Sequence, residues 1–174
     1  MNLPHRIAPA LRAAPILGLL ALLAAAPAAR AVVVSGRVLG ESGAAVPNVN
    51  LDFVDGTGTS IPLIGDTTDI LGYYSIDVPV GTYDIYYKAP AGSGWAHRIM
   101  RGVIISTNVT RPDVILPYGY IVDGFVRDAL GAPIFDVDLD FHDCATGEQW
   151  PTLSDNTDAL GYYAVVVPAG TWNI

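Results

Sequence analysis

Asp69-Ile70-Leu71-Gly72-Tyr73-Tyr74-Ser75-Ile76-Asp77-Val78-Pro79-Val80-Gly81-Thr82-Tyr83-Asp84-Ile85 decides the fold of this 174-residue chain. Tyr74, Ile76 and Val78 alternate with Ser75 and Asp77, the period-two pattern of a half-buried strand. Tyr83, Ile85 and Tyr87 supply a second such row. Between the rows, Pro79-Val80-Gly81 predicts a bend: proline presets φ, and glycine tolerates the positive φ of a reversal. Ahead of the first row, Asp69 and Gly72 bracket a four-residue turn, with Asp placed to accept a backbone N–H and Gly suited to the last position.

The same stretch returns as Asp158-Ala159-Leu160-Gly161-Tyr162-Tyr163-Ala164-Val165-Val166-Val167-Pro168-Ala169-Gly170-Thr171-Trp172-Asn173-Ile174, displaced by 89 residues. Upstream, Val34-Ser35-Gly36-Arg37-Val38 matches Val122-Asp123-Gly124-Phe125-Val126, and Val49-Asn50-Leu51-Asp52-Phe53 matches Val137-Asp138-Leu139-Asp140-Phe141, both displaced by 88. A period of this length, built of short strands with frequent turn signals, predicts one small β-sandwich per copy. The first copy is expected over 32–117, with strands at 32–39, 48–54, 72–79, 82–89, 97–106 and 110–116 and a long Gly/Thr-rich loop over 55–69. The second is expected over 118–174, joined through Leu116-Pro117-Tyr118-Gly119 with almost no linker, so the copies should be held end to end. It stops at the residue matching Ile85, whereas the first copy runs on through Tyr87, Val103, Ile105, Val114 and Leu116. Two readings follow for this incomplete copy: the chain is a fragment of a longer protein, or another chain donates the absent strands.

Residues 1–31 read as a signal peptide. His5, Arg6 and Arg12 are basic, 16–26 is apolar but short for a bilayer, and Ala29-Arg30-Ala31 fits a small-x-small cleavage site with Val32 as the first mature residue. An uncleaved anchor helix is the alternative. No cysteine near the site offers a lipid attachment point, and no twin arginine precedes the apolar run. Loss of Arg6, Arg12 and Arg30 would leave six of the nine basic residues against seventeen acidic ones, a net charge near −11. That balance argues against nucleic acid and anionic lipid as partners. No further segment reads as membrane-inserting, so a secreted or cell-surface location is expected. The lone cysteine, Cys144, has no internal partner and is expected as a small, half-buried loop residue, or else as a link to another chain.

The order V-x-G-x-V, G-x-P or a close variant, T-D-x-x-G-Y, V-P-x-G-T-aromatic-x-I resembles the carboxypeptidase regulatory-like domain. It is carried by Val34, Gly36, Val38, Thr68, Asp69, Gly72, Tyr73, Pro79, Gly81, Thr82 and Tyr83. In the second copy it is carried by Val122, Gly124, Val126, Gly131, Pro133, Thr157, Asp158, Gly161, Tyr162, Pro168, Gly170, Thr171 and Trp172. The first copy departs at Gly43, where Ala44, Ala45 and Val46 precede Pro47. The resemblance implies an all-β, Greek-key sandwich of transthyretin-like (Ig-like) type in tandem. It also implies a non-catalytic role as spacer, stalk or accessory domain of an exported protein, with no cofactor. The alternatives are a carbohydrate-binding module and the accessory part of a larger exported hydrolase.

The residues argue against catalysis within the chain. Zinc-peptidase chemistry, found beside such domains, needs a His-x-x-Glu pair, and neither His97 nor His142 has the Glu. The Tyr-Arg-Gly-Ser tail of the related purine-pathway hydrolases is absent. His142, Asp143 and Cys144 are too close in sequence to converge as a nucleophile, base and orienting acid. Lys88, the only lysine, is poor support for an isopeptide crosslink. Asp66 and Asp69, with Asp155 and Asp158, are weak calcium candidates, since each cluster has few oxygen ligands and no bidentate Glu; turn-making explains Asp69 and Asp158 as well. Trp95 and Trp150 fall in expected loops and are the ligand candidates: exposed rings stack on sugar faces, whereas rings folded back over the sandwich ends would not. The partners in view are therefore a glycan, another extracellular protein, or a strand donor for the second copy.

Overall fold

The computed structural model describes residues 30–174, so most of the expected signal peptide lies outside the described residues, while its expected cleavage pair, Ala31 and Val32, lies inside them. The described chain is all-β. In the first repeat, β1 (Ala31–Gly40) buries Val32, Val34 and Val38 on one face and pairs antiparallel with β4 (Tyr73–Pro79), Val34 opposite Ile76. Two short strands, β7 (Val109–Thr110) and β8 (Val114–Leu116), lie parallel to β1 along its other edge. The facing sheet runs β3 (Ser60–Ile61), β2 (Asn50–Asp55), β5 (Gly81–Lys88), β6 (Arg98–Ile105). Val34, Val38 and Ile76 from one sheet meet Leu51, Phe53, Ile85, Tyr87 and Ile105 from the other in a single core, which makes a β-sandwich.

Two strand expectations change. The strand expected over 110–116 is broken at Arg111-Pro112-Asp113 into β7 and β8, because Pro112 has no N–H to give a ladder. The loop over 55–69 contains the edge strand β3, since Ile61 and Leu63 pack against the core and draw Ser60 and Ile61 alongside Val54 and Phe53.

The second repeat consists of β9 (Gly119–Phe125), β10 (His142–Asp143), β11 (Tyr162–Pro168) and β12 (Trp172–Asn173), in two-stranded ladders β9–β11 and β10–β12. Its register copies the first: Val122 faces Val165 and Gly124 faces Tyr163, as Val34 faces Ile76 and Gly36 faces Tyr74. Leu139, Phe141, Val165 and Val167 are buried, with Val122, Trp150, Tyr163 and Trp172 packed around them.

The recurring motif residues have specific tasks. Asp69 Oδ1 accepts from the N–H groups of Leu71 and Tyr73, 2.8 Å each, and Asp158 does so from Leu160 (2.8 Å) and Tyr162 (2.9 Å). Gly72 adopts φ +79°, and a Cβ there would sit 2.4 Å from the Val38 carbonyl oxygen; Gly161, at φ +73°, has the same 2.4 Å relation to Val126. Gly81 corrects the expectation of a positive φ: it is absent from the left-handed residues. Its small size instead admits the Tyr83 ring, whose hydroxyl would lie 2.8 Å from a Cβ. That hydroxyl donates to Pro79 O at 2.9 Å, and in the second repeat Trp172 Nε1 donates to Pro168 O at 3.2 Å. The aromatic after Gly-Thr therefore closes its own hairpin onto the proline carbonyl.

Candidate functional site

The chain passes from β8 to β9 through Pro117 and Tyr118 alone. Five contacts fix this joint. Ala96 N donates to Pro117 O at 2.9 Å, and Gly119 N donates to Gly94 O at 2.8 Å, so the loop before β6 runs as a short ladder beside the connection. The Trp95 and Tyr118 rings stack with centroids 4.7 Å apart and planes 26° from parallel. Glu41 Oε2 accepts from Tyr118 N at 3.1 Å, and the Glu41 N–H itself donates to Leu116 O at 3.0 Å. Gly40 and Gly119 make the close approach feasible. A Cβ on Gly40 would lie 2.2 Å from the Trp95 ring, and one on Gly119 would lie 2.5 Å from Val166 and 2.9 Å from Ala96 N.

Beyond the connection, Arg101 Nε and Glu148 Oε1 approach to 3.7 Å across the two repeats. A cleft of about 500 Å³ opens between them, lined by Glu41, Arg98 and Pro117 on one side and Glu148, Trp150 and Pro151 on the other.

Trp95 is thus half-buried and committed to Tyr118 and Gly40. Trp150 is half-buried and meets Trp172 edge-on at 5.8 Å between centroids; its Nε1 is buried without a hydrogen-bond partner. The two rings do not form one aromatic platform: Trp95 belongs to the joint and Trp150 to the second core. Tyr162 donates to Asp123 Oδ2 at 3.1 Å and tilts against Phe125, and that bond raises its pKa. Tyr73 lies under the Arg37 guanidinium, 4.9 Å from its ring centre.

The acidic candidates are engaged locally. Asp69 and Asp158 hold their turns, and Asp155 Oδ2 accepts from Thr152 Oγ1 at 2.5 Å; at Asp66 it is the backbone carbonyl, accepting from Leu51 N at 2.7 Å, that is used. Among the described residues no three His, Cys, Asp or Glu side chains come together as a metal site. Asp143 is turned to its own loop: its Oδ1 accepts from Ala145 N and Thr146 N, 2.8 Å each, and these bonds hold its carboxyl below the usual range. Cys144, expected half-buried, is exposed, because the tight Asp143–Gly147 turn projects it outward. His97 Nδ1 accepts from Ala89 N at 2.9 Å, and burial, with the Lys88 charge nearby, lowers its pKa. It pins the start of the loop that carries Trp95, a task the sequence does not announce.

The task of two motif threonines is likewise not announced by the sequence. Thr68 Oγ1 accepts from Val49 N at 2.9 Å and donates to Val46 O at 2.8 Å; Thr157 repeats this with Val137 N and Ile134 O at the same distances. The signal was their recurrence inside T-D-x-x-G-Y, which turn chemistry alone does not require.

No family model matches the chain. No curated protein matches it. Among solved structures it is similar to a DUF3823 family protein from Bacteroides ovatus, at 14% identity and TM-score 0.40, covering 82% of this chain and 83% of that one. It is also similar to a streptococcal ancillary pilin, at 17% identity and TM-score 0.38, covering 82% and 52%. A third is BcpA, the major pilin subunit of Bacillus cereus, at 14% identity and TM-score 0.39, covering 79% and 53%. The chain spans about half the length of either pilin.

Proposed function

We propose that the chain is a non-catalytic structural module of an exported protein, two carboxypeptidase regulatory-like sandwiches (32–117 and 118–174) set end to end as a spacer. The single observation that carries this is the clamped joint. A flexible tether would present a polar, Gly/Ser-rich connection with few contacts; here two backbone bonds, a stacked ring pair and the Glu41 bond converge on Pro117-Tyr118-Gly119. Pieces held so firmly transmit position from one repeat to the next.

Export through the segment 1–31 fits the same picture. Cleavage between Ala31 and Val32 would remove an exposed residue and keep Val32, the first buried position of β1. Among the described residues it would forfeit the Val80 N–H bond to Arg30 O, 3.0 Å, and the Ala31–Pro79 pairing, both at the strand end. Tyr118 covers one face of Trp95, and Trp150 meets Trp172 edge-on, so the two rings do not present a common stacking surface to a glycan.

Spin labels placed one on each repeat test the proposal. The expected result is a narrow inter-label distance distribution that broadens in Trp95→Ala, with each repeat's own amide spectrum preserved. A broad distribution in the unaltered chain, or a narrow one that Trp95→Ala leaves unchanged, would overturn it.

A further inference from the structure

Along one side of the first sandwich, β6 closes one sheet, and β7 and β8 close the other. Residues directly opposite in an antiparallel pair share a face. On β5 the inward residues Ile85 and Tyr87 are fully buried. Met100 stands opposite Ile85, as an apolar core requires, but Arg98 stands opposite Tyr87. Across the gap, the break between β7 and β8 contributes a second arginine, the half-buried Arg111, whose Nη2 lies 3.9 Å from Met100 Sδ. Its Nε is buried without a hydrogen-bond partner. Arg98 Nη1 donates to Ile115 O at 2.7 Å and so bridges the two sheets. A cavity of about 210 Å³ lies here, lined by both arginines with Met100, Pro112, Asp113 and Val114. Burial raises the Tyr87 pKa, and both guanidinium charges, as neighbours of its hydroxyl, act against that rise.

These two arginines stand apart from the other basic residues after Val32. Lys88 pairs with Asp52, and Arg101 with Asp84 and Glu148. Arg37 and Arg127 lie over the rings of Tyr73 and Phe125. Among the described residues, Arg98 and Arg111 pair with no carboxylate, and the sequence 1–29 contains no acidic residue that could serve. A charge drawn partly out of water is costly unless an opposite charge joins it.

We infer that the cavity between β6 and the β7–β8 break is a carboxylate-binding site that takes a small monocarboxylate with a short apolar tail. The N–H fork of a guanidinium matches the two oxygens of a carboxylate. Met100, Pro112 and Val114 give the tail an apolar wall, which phosphate or sulfate could not use. Asp113 is the one acid in the lining, and its charge disfavours a second negative charge on the ligand. Every lining residue lies in the first repeat, so the site is complete without any residue of the second.

The experiment uses the full chain, ¹⁵N-labelled, titrated with sodium butyrate to about 10 mM at constant ionic strength, since salt alone screens charge. The Nε–H signals of Arg98 and Arg111 and the amides of Met100 and Val114 should shift saturably. Butyramide, of the same shape without the charge, should leave them in place. Arg98 also lines the cleft at the joint, so the variants rest on Arg111. Arg111→Gln should weaken butyrate binding at least tenfold, and Arg111→Lys, which keeps the charge without the fork, should weaken it less. Asp113→Asn, at an exposed position, should bind butyrate more tightly, and it decides the matter if Arg111→Gln fails to fold. An acetylated alanine–valine dipeptide, compared with its C-terminal amide, separates the two sources of this chemistry. Binding tighter than butyrate assigns the site to a polypeptide chain end, and weaker binding assigns it to a free acid; either outcome supports a carboxylate site. No saturable shift, equal shifts with butyramide, or phosphate binding tighter than butyrate would overturn the inference. So would full affinity in Arg111→Gln, or weaker binding in Asp113→Asn. None of these readouts depends on the stiffness of the joint, so the spacer proposal and this one fail separately.

Discussion

Removing one hydroxyl should test how the first sandwich is tied together. The Thr68 side chain is 3% exposed, and its Oγ1 both accepts from Val49 N and donates to Val46 O. Thr68→Val keeps the shape and deletes both bonds, leaving a buried N–H and a buried C=O without partners. Each such orphan costs about 1–3 kcal/mol, so Thr68→Val should destabilise the first repeat by about 2–6 kcal/mol. That is a large part of the ~5–15 kcal/mol available to a typical domain. Thr68→Ser keeps both bonds and loses one methyl, which costs roughly 1 kcal/mol. The assay is urea unfolding followed by the emission of Trp95, which packs against the first core, in a chain carrying Trp150→Phe and Trp172→Phe, with hydrogen exchange at the Val49 amide as the local probe. The decisive quantity is the gap between the two variants. If Thr68→Val falls within ~0.5 kcal/mol of the parent chain, or if valine and serine cost the same, the hydroxyl is not the tie and the strand-linking role is wrong.

Two further perturbations follow from the geometry. Gly72→Ala must hold an L side chain at φ +79° with a Cβ 2.4 Å from Val38 O, whereas Gly43→Ala, at φ +81°, meets nothing within 4 Å. Both pay the left-handed penalty of about 1–2 kcal/mol, so in thermal unfolding Gly72→Ala should be the worse of the two by at least ~1 kcal/mol, and equal costs would refute the clash. For His97, burial and the Lys88 charge put the folded pKa below the ordinary 6.5, so the unfolded chain binds the proton more readily. The stabilisation from neutral His97 should be complete above pH 6.5 and decline as pH falls below that toward the folded pKa. His97→Gln should flatten this part of the stability–pH profile, and an unchanged slope would show that another group sets it.

The sequence makes the sandwich legible and the joint not, for a physical reason visible at particular residues. Tyr74-Ser75-Ile76-Asp77-Val78 declares its buried face because alternation is a local consequence of the pleat. The turn at Asp69 is equally local, a carboxylate meeting N–H groups two and four residues on. Thr68 and His97 bond over longer separations in the chain, and no local pattern marks a side chain whose partner lies nineteen residues away. Gly81 was assigned a positive φ because glycine allows it; the contact with Tyr83 that in fact requires glycine depends on which way a ring points. Whether the Trp95 ring stands exposed or folds back is undecided in the sequence for the same reason, since its stacking partner Tyr118 is placed by the path of the following strand. The internal repeat supplies the control that a single copy would lack. Val34 and Val122 are the same residue in the same register, yet one is fully buried and the other half-buried, so the difference belongs to their neighbours and not to their identity. Sequence periodicity states which face of β9 seeks cover.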